Sequence, residues 1–433
     1  MPSVLPPGPR DRFRTTARWA LRPAGLLDEC HARYGHAFTL DLVKFGPACF
    51  FASPEAAEAL FRADPLEYRA GKTKFVRPVL GPSSLLCLDG KEHLRQRRLL
   101  VPALHGERLA DHAQTTREVV EAEAARWPVG VAFRLAEAME RISLEVVLRT
   151  VFGVRDGPRR RELAGPLRAL IAQAAGSRAQ LVRMAARRDL TAPPPRGSVL
   201  ARRLDAADHA LHAVVAERRR EPAGGDDVLS LLLAARGEDG APMDDAEVRD
   251  ALMTLLLAGH ETTATTLAWA FERLLRHPDA WERLRADAAD GGTGAWAAAV
   301  ATETLRTRPV LWLAGRTLLT ERTVAGHKLP AGTLAYVCSY LLHRREDLYP
   351  DALAFRPERF LGAGRGAYRW VPFGGGPRRC IGAAFAEQEL RTVLTAVAAS
   401  TRLRAVDPAR PERFRRRGIV VAPDRGALAV RQL

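Results

Sequence analysis

A chain of 433 residues can build a sizeable core, and its length fits one large domain or two to three average ones. Apolar residues make up 47% and charged residues 27%, which excludes a disordered chain and a membrane-embedded one. The formal charge of +16 is nearly all arginine, spread along the chain. Together with abundant alanine this reads first as the codon bias of a GC-rich genome and second as a docking surface for an acidic protein. A nucleic-acid reading would need the charge gathered on one face, so no nucleic-acid partner is expected.

The longest stretch free of acidic and basic residues, Leu329 to His343, is fifteen residues broken by Pro330 and Gly332. A membrane-spanning helix needs about 20 apolar residues. The opening MPSVLPPGPRDRF carries no apolar signal-peptide core. These features predict a soluble, cytoplasmic protein with no membrane anchor. The five cysteines, at 30, 49, 87, 338 and 380, are odd in number and none is spaced Cys-x-x-Cys. That argues against a disulfide framework and a structural zinc site. Four of them read as small core residues; Cys380 stands apart.

In chain order, Ala37 to Val43 and Ala48 to Ala52 read as the arms of a hairpin turning at Gly46-Pro47. Pro54 to Ala63 reads as a helix. From Asp111 to Arg285 the pattern is helical, interrupted by loops at Ala192 to Gly197 and Gly224 to Asp227. Asp244 and Glu247 form a capping pattern that opens a run to His277, stopped by Pro278. At about 50 Å this helix is unusually long, and its apolar centre, Ala251 to Gly259, predicts an interior position. Glu261 at its midpoint therefore needs a reason. After Arg308-Pro309 come strand-like residues (Val324 to Val337), loops (Glu346 to Pro377) and a helix from Ile381 to Ser400. The chain is predicted to end in a hairpin, Gly418 to Ala422 with Ala427 to Arg431, around Pro423-Asp424. No repeat or linker is visible, so residues 1–433 are predicted to form a single, mainly α domain with a small β region.

The chemistry-bearing segment is Phe373-Gly374-Gly375-Gly376-Pro377-Arg378-Arg379-Cys380-Ile381-Gly382. A thiol just ahead of a helix start, with two arginines beside it, is placed to become a thiolate. Backbone N–H groups of such a loop can bond a metal-bound sulfur. The dinucleotide-binding glycine pattern and the lysine of a phosphate-binding loop are absent.

Phe-x-x-Gly-x-Arg-x-Cys-x-Gly resembles the haem-binding loop of the cytochrome P-450 family, the haem-thiolate monooxygenases. Three further segments match in order. Ala258-Gly259-His260-Glu261-Thr262-Thr263 resembles the family's oxygen-activation site. The resemblance implies that Glu261 and Thr262 deliver protons, with His260 structural or a helper. Glu303-Thr304-Leu305-Arg306 resembles the family's Glu-x-x-Arg, and Arg359 the third member of a buried triad bracing the cysteine loop. His93 and Arg97, which share a helix face, with Arg316 and Arg378, occupy positions resembling the partners of the haem propionates.

The resemblance covers essentially the whole chain and implies the cytochrome P-450 fold. It implies haem b (iron protoporphyrin IX) ligated by Cys380, with Phe373, Gly376, Gly382, Ala258 and Gly259 also against the cofactor. It further implies a monomer that uses O2 and takes electrons from ferredoxin and ferredoxin reductase, in secondary metabolism. Pocket walls would come from Phe75, Val79, Leu80, Leu255, Val310, Leu311, Trp312 and Leu313. These favour an apolar small-molecule substrate: terpenoid, fatty acyl or polyketide-like. Competing readings are a peroxide-dependent or isomerising haem-thiolate enzyme and a non-catalytic haem-binding protein. Arg95, Arg98 and Arg379 are expected on a face that docks an acidic ferredoxin.

Overall fold

The computed structural model describes residues 5–71, 73–106, 108–155, 157–174, 191–220, 225–238, 240–362 and 364–432. Gly224 of the second expected loop, and residues 175–190 of the helical stretch, lie outside the described residues. The chain divides into two compact units, each assembled from separated stretches.

The first unit comprises Met1–Lys72, Asp89–Leu94 and Thr302–Cys380. Its sheet holds β1 (Ala37–Leu42), β2 (Gly46–Phe51), β3 (Tyr68–Ala70), β5 (Leu313–Leu318) and β8 (Leu334–Cys338), in the order β1-β2-β8-β5-β3. The expected hairpin at Gly46 is present, with Leu42 opposite Gly46 and Ala37 opposite Phe51. The helix Pro54–Phe61 starts where the Ser53 side chain accepts from the Ala56 amide and proline occupies the first turn. It buries Ala56, Ala57, Leu60 and Phe61 against Phe51, Leu318 and Val337. The expected strand-like run from Val324 resolves into a small hairpin, β6 (Arg322–Val324) with β7 (His327–Leu329), followed by β8.

The second unit comprises Thr73–Leu88, Arg95–Ala301 and Ile381–Leu433, and is mostly helical. Its central helix spans Asp245–Leu275, with both hydrogen bonds of the Asp244–Glu247 capping box present. At 31 residues it is about 46 Å long. From Thr263 to Leu275 every residue is buried. The turn at Gly81 seats against this helix: a Cβ there would lie 1.9 Å from Asp250 Oδ1, and the Ser83 amide donates to Asp250 Oδ2 at 2.8 Å. Only glycine fits there.

The expected C-terminal hairpin is corrected. The hairpin is formed by β10 (Phe414–Arg417) and β11 (Val420–Pro423), turning at Gly418-Ile419, with Arg416 opposite Val421. β12 (Leu428–Gln432) instead joins β4 (Ala132–Arg134) and β9 (Arg402–Ala405) in the order β4-β12-β9. Pro423, taken as a turn residue, ends a strand; the arginine run before Gly418 is itself a strand. Among the described residues, no helix is long and apolar enough to cross a membrane.

Candidate active site

In the first unit the cysteine loop is shaped by glycines. Gly374 and Gly376 have φ of 65° and 64°, values an L side chain rarely adopts. A Cβ on Gly376 would lie 1.7 Å from the Phe61 carbonyl oxygen, and one on Gly375 would lie 2.5 Å from the Phe61 ring. The Cys380 amide then donates to the Phe373 carbonyl at 2.9 Å, closing the loop, and Phe373 packs edge-on to Trp370 at 5.8 Å. Gly382 caps the helix Ala383–Ser400, which begins two residues later than the sequence predicts. Cys380 is exposed, whereas the other four cysteines are buried. Burial pushes the Cys30 thiol up to about 11 and the Cys338 thiol up to about 12. One thiol of five is accessible.

The same unit holds the Glu303–Arg306 pair, both side chains fully buried. All five N–H donors of Arg306 are used: Nε and Nη2 to the two Glu303 oxygens at 2.7 Å, and the rest to His343, Ala352 and Ala354 carbonyls at 2.7 to 3.0 Å. Glu303 also accepts the Arg356 amide at 2.9 Å and stands 3.7 Å from Arg359 Nε. The three residues singled out in the sequence come together as an ion-pair cluster.

Two further cations gather in the same unit. Arg316 on β5 is 5% exposed and Arg378 is largely buried. Burial, with Arg378 adding repulsion, lowers the Arg316 pKa to about 10. Arg316 donates to the carbonyls of Gly315 and Gly375, while its Nε is buried without a partner among the described residues. Arg378 donates to Asp89 at 2.7 Å. Two guanidiniums largely withdrawn from solvent suit paired carboxylates. His93 is buried on the helix Gly90–Leu100, which also carries the half-buried Arg97. Sequence reasoning missed Tyr68: its buried ring lies 4.9 Å from the Arg316 guanidinium, and no pattern marks a lone tyrosine on a three-residue strand.

In the second unit the middle of the central helix is less buried, with Leu257 and Glu261 half-buried and one stripe more open. Ala258 is exposed, and Leu255, Gly259 and Thr262 are half-buried. At spacings of three, four and seven these share one face. A Cβ on Gly259 would meet nothing within 4 Å. Such an accessible stripe, flat at Gly259, can accept a planar ligand. In the first unit an accessible thiol and paired cations are the donor types that a haem takes. The Thr262 hydroxyl donates to the Ala258 carbonyl at 2.6 Å, and the Ser143 hydroxyl donates to the His260 carbonyl at 3.3 Å. Burial, reinforced by Arg417 and Arg168, lowers the His260 pKa to about 4, so its imidazole is neutral at pH 7. Burial raises the pKa of Glu261; Arg417 opposes this and Glu140 adds to it. Glu261 Oε1 is buried with no hydrogen-bond partner among the described residues.

Of the expected pocket residues, Phe75, Val79 and Leu255 in the second unit, and Leu311 and Leu313 in the first, keep accessible surface. Leu80 and Trp312 are corrected. Leu80 is 4% exposed within the helical core, and Trp312 is stacked on Tyr340 with centroids 4.3 Å apart. Both pack the fold, as does Val310 at 7% exposure. The expected docking arginines are also not all open: Arg95 is paired with Glu247 at 2.6 Å and Arg98 with Glu238.

This fold and these residues match the cytochrome P450 family model over residues 17–430, and the chain belongs to that family. It is a haem-thiolate monooxygenase, an oxidoreductase. The chain is 39% identical over 432 residues to "Putative cytochrome P450 135B1" of Mycobacterium tuberculosis, covering 98% of this chain and 90% of that protein. It is 40% identical over 401 residues to "Putative cytochrome P450 137" of the same organism, covering 91% and 82%. A solved structure, "Retinoic acid bound cyanobacterial CYP120A1", superposes with a TM-score of 0.85 over 99% of both chains at 23% identity, a likeness of fold.

Proposed function

We propose that this enzyme inserts one oxygen atom from O2 into an apolar organic substrate by hydroxylation or epoxidation, with haem b held through Cys380. The observation that carries the assignment is the accessible Cys380 thiol on a loop that Gly375 and Gly376 fit against Phe61. Haem with a thiolate ligand supplies dioxygen binding and O–O cleavage when electrons and protons arrive.

The chain's own residues do the rest. Arg316 and Arg378, with His93 and Arg97, neutralise the propionates. Ala258 and Gly259 leave room on the central helix, and Phe373, Gly376 and Gly382 shape the loop around the sulfur. Burial raises the Glu261 pKa, which suits it to pass a proton inward, and the Thr262 hydroxyl passes it on by turning from the Ala258 carbonyl. Glu303, Arg306 and Arg359 hold the cysteine loop in place. Phe75, Val79, Leu255, Leu311 and Leu313 offer hydrocarbon, which suits a terpenoid, fatty acyl or polyketide-like substrate of secondary metabolism. Ferredoxin with its reductase supplies the electrons.

Cys380→Ser tests the assignment. The variant should lose the red-shifted absorbance band of the reduced carbon monoxide adduct; a retained band would move the ligand to another cysteine. Screening compounds for substrate-induced spin-state shifts in the haem spectrum then identifies the substrate class.

A further inference from the structure

Arg306 donates to carbonyls between residues 343 and 354, whereas the cysteine loop begins near residue 370. His343 spans that gap within the first unit. It closes the single helical turn Ser339–Leu342, where its amide donates to the Ser339 carbonyl at 3.0 Å. Its own carbonyl accepts from Arg306 Nη1 at 2.7 Å, and its ring Nε2 accepts from the Val371 amide at 2.9 Å. The next bonds carry on towards the cysteine. The Val371 carbonyl accepts from the Gly374 amide at 3.0 Å, and the Phe373 carbonyl from the Cys380 amide at 2.9 Å. The Trp370 indole donates to the Thr302 carbonyl at 3.2 Å, which holds the preceding residue but leaves the Val371 amide to His343.

The His343 side chain has no exposed surface. Because Nε2 faces an amide donor, the proton of the neutral ring belongs on Nδ1, which is buried with no partner among the described residues. Burial and the Arg306 charge lower the His343 pKa to about 3, so the ring is neutral at pH 7. A buried donor left short costs free energy that an apolar side chain of similar volume would not. Packing alone is thus a weak reason for a histidine here, and its acceptor nitrogen is the stronger one.

We propose that His343 is a positioning residue for the haem-ligating sulfur, carrying the fixed geometry of the Glu303–Arg306 cluster to Cys380 through the Val371 amide. This rests on the reading of Cys380 as the ligand. His343 acts on the sulfur only through others, by three hydrogen bonds in series: at the Val371, Gly374 and Cys380 amides. When the first is lost, a buried N–H is stranded and the turn from Val371 to Gly374 loosens. The Cys380 amide then parts more often from the Phe373 carbonyl, and the sulfur leaves the position in which it stays a thiolate.

Two substitutions of similar volume separate the acceptor from packing. His343→Gln keeps a carbonyl oxygen able to meet the Val371 amide; His343→Met fills the space without a comparable acceptor. Hydrogen exchange of the haem-loaded protein, followed by mass spectrometry, is the first readout. Residues 371–380 should exchange roughly tenfold faster in His343→Met and near the wild-type rate in His343→Gln, with exchange elsewhere unchanged. The second readout is the red-shifted band of the reduced carbon monoxide adduct, held at a temperature below global melting. Its conversion to the shorter-wavelength band of a haem without thiolate should quicken about tenfold in His343→Met alone. A residue that only fills the core would move the global melt in both variants, and both readouts with it. Equal behaviour of the two variants, whether both match wild type or neither holds haem, overturns the proposal and leaves Cys380 as the ligand of the wild type. If the wild type itself shows no thiolate band, the reading of Cys380 fails and this proposal with it.

Discussion

Glu303 and Glu261 are both carboxylates withdrawn from solvent, and the chain treats them oppositely. Glu303 receives two bonds from Arg306 and one from the Arg356 amide, with Arg359 beside it. Glu261, half-buried on the central helix, has one oxygen buried with no partner among the described residues. A buried polar group left short costs more than a hydrogen bond gains, so an unsatisfied one is retained only where it does something else. The satisfied carboxylate holds structure; the unsatisfied one is free to exchange a proton.

The sharpest way to break the contrast is at the satisfied end. Arg306→Ala would strand a charged Glu303 and leave three carbonyls without donors, a loss of about 3–5 kcal/mol. The expected outcome is little or no folded, haem-loaded protein, measured by soluble yield and thermal melting followed by circular dichroism. Replacing both partners, as Glu303→Leu with Arg306→Met, should be less harmful than Arg306→Ala alone, because no charge is left behind. Equal loss in the two would mean that packing, not charge, governs the cluster.

At the other end, Thr262→Ala removes a hydroxyl that bonds only its own helix in this structure. Stability should hold within about 1 kcal/mol, while product formed per electron pair falls by up to roughly 10²–10⁴-fold, the span of a relay group. Electrons would then appear as peroxide or water. Unchanged coupling would take Thr262 out of proton delivery.

A third carboxylate lies between these extremes. Glu389 is 3% exposed and has a buried oxygen with no partner among the described residues. Burial pushes its pKa up to about 8, from 4.5 in the unfolded chain. The folded protein thus holds a proton that the unfolded chain releases. The stabilisation is fully present below about pH 4.5 and is lost as pH rises through about 8. Over that window the effect is on the order of a few kcal/mol. Glu389→Gln should flatten the fall of melting temperature with pH between those limits; an unchanged slope would show that Glu389 titrates normally.

Much of this was legible from local chemistry. The Asp244–Glu247 box fixes the start of the central helix, and Gly374 to Cys380 marks the loop, because capping and glycine-dependent turns involve neighbours in sequence. Glu303 and Arg306 were legible as a pair for the same reason. The C-terminal hairpin was not: Arg415 to Arg417 is charged enough to pass for a solvated run, and β12 pairs with β4, nearly 300 residues earlier in the chain. Tyr68 and His343 escaped notice because each acquires meaning only from a partner that the fold supplies. Trp312 was misread for the converse reason, since an apolar side chain announces burial but not against what.

The smallest effect concerns electron supply. Arg98 carries an ion pair with Glu238, whose side chain is 84% exposed, so the pair is worth little to stability, about 0–1 kcal/mol. It does cancel part of the field that would attract an acidic ferredoxin. Arg95, paired with the better buried Glu247 of the central helix cap, is more firmly committed to structure. Glu238→Gln should therefore leave melting unchanged and speed association with the ferredoxin. The gain should be modest at low salt and vanish as the screening length shortens towards about 8 Å at physiological ionic strength. Stopped-flow reduction of the ferric enzyme across a salt series measures it. A rate that does not respond to Glu238→Gln at any salt would show that Arg98 lies off the docking face, and that the arginine excess there reflects composition alone.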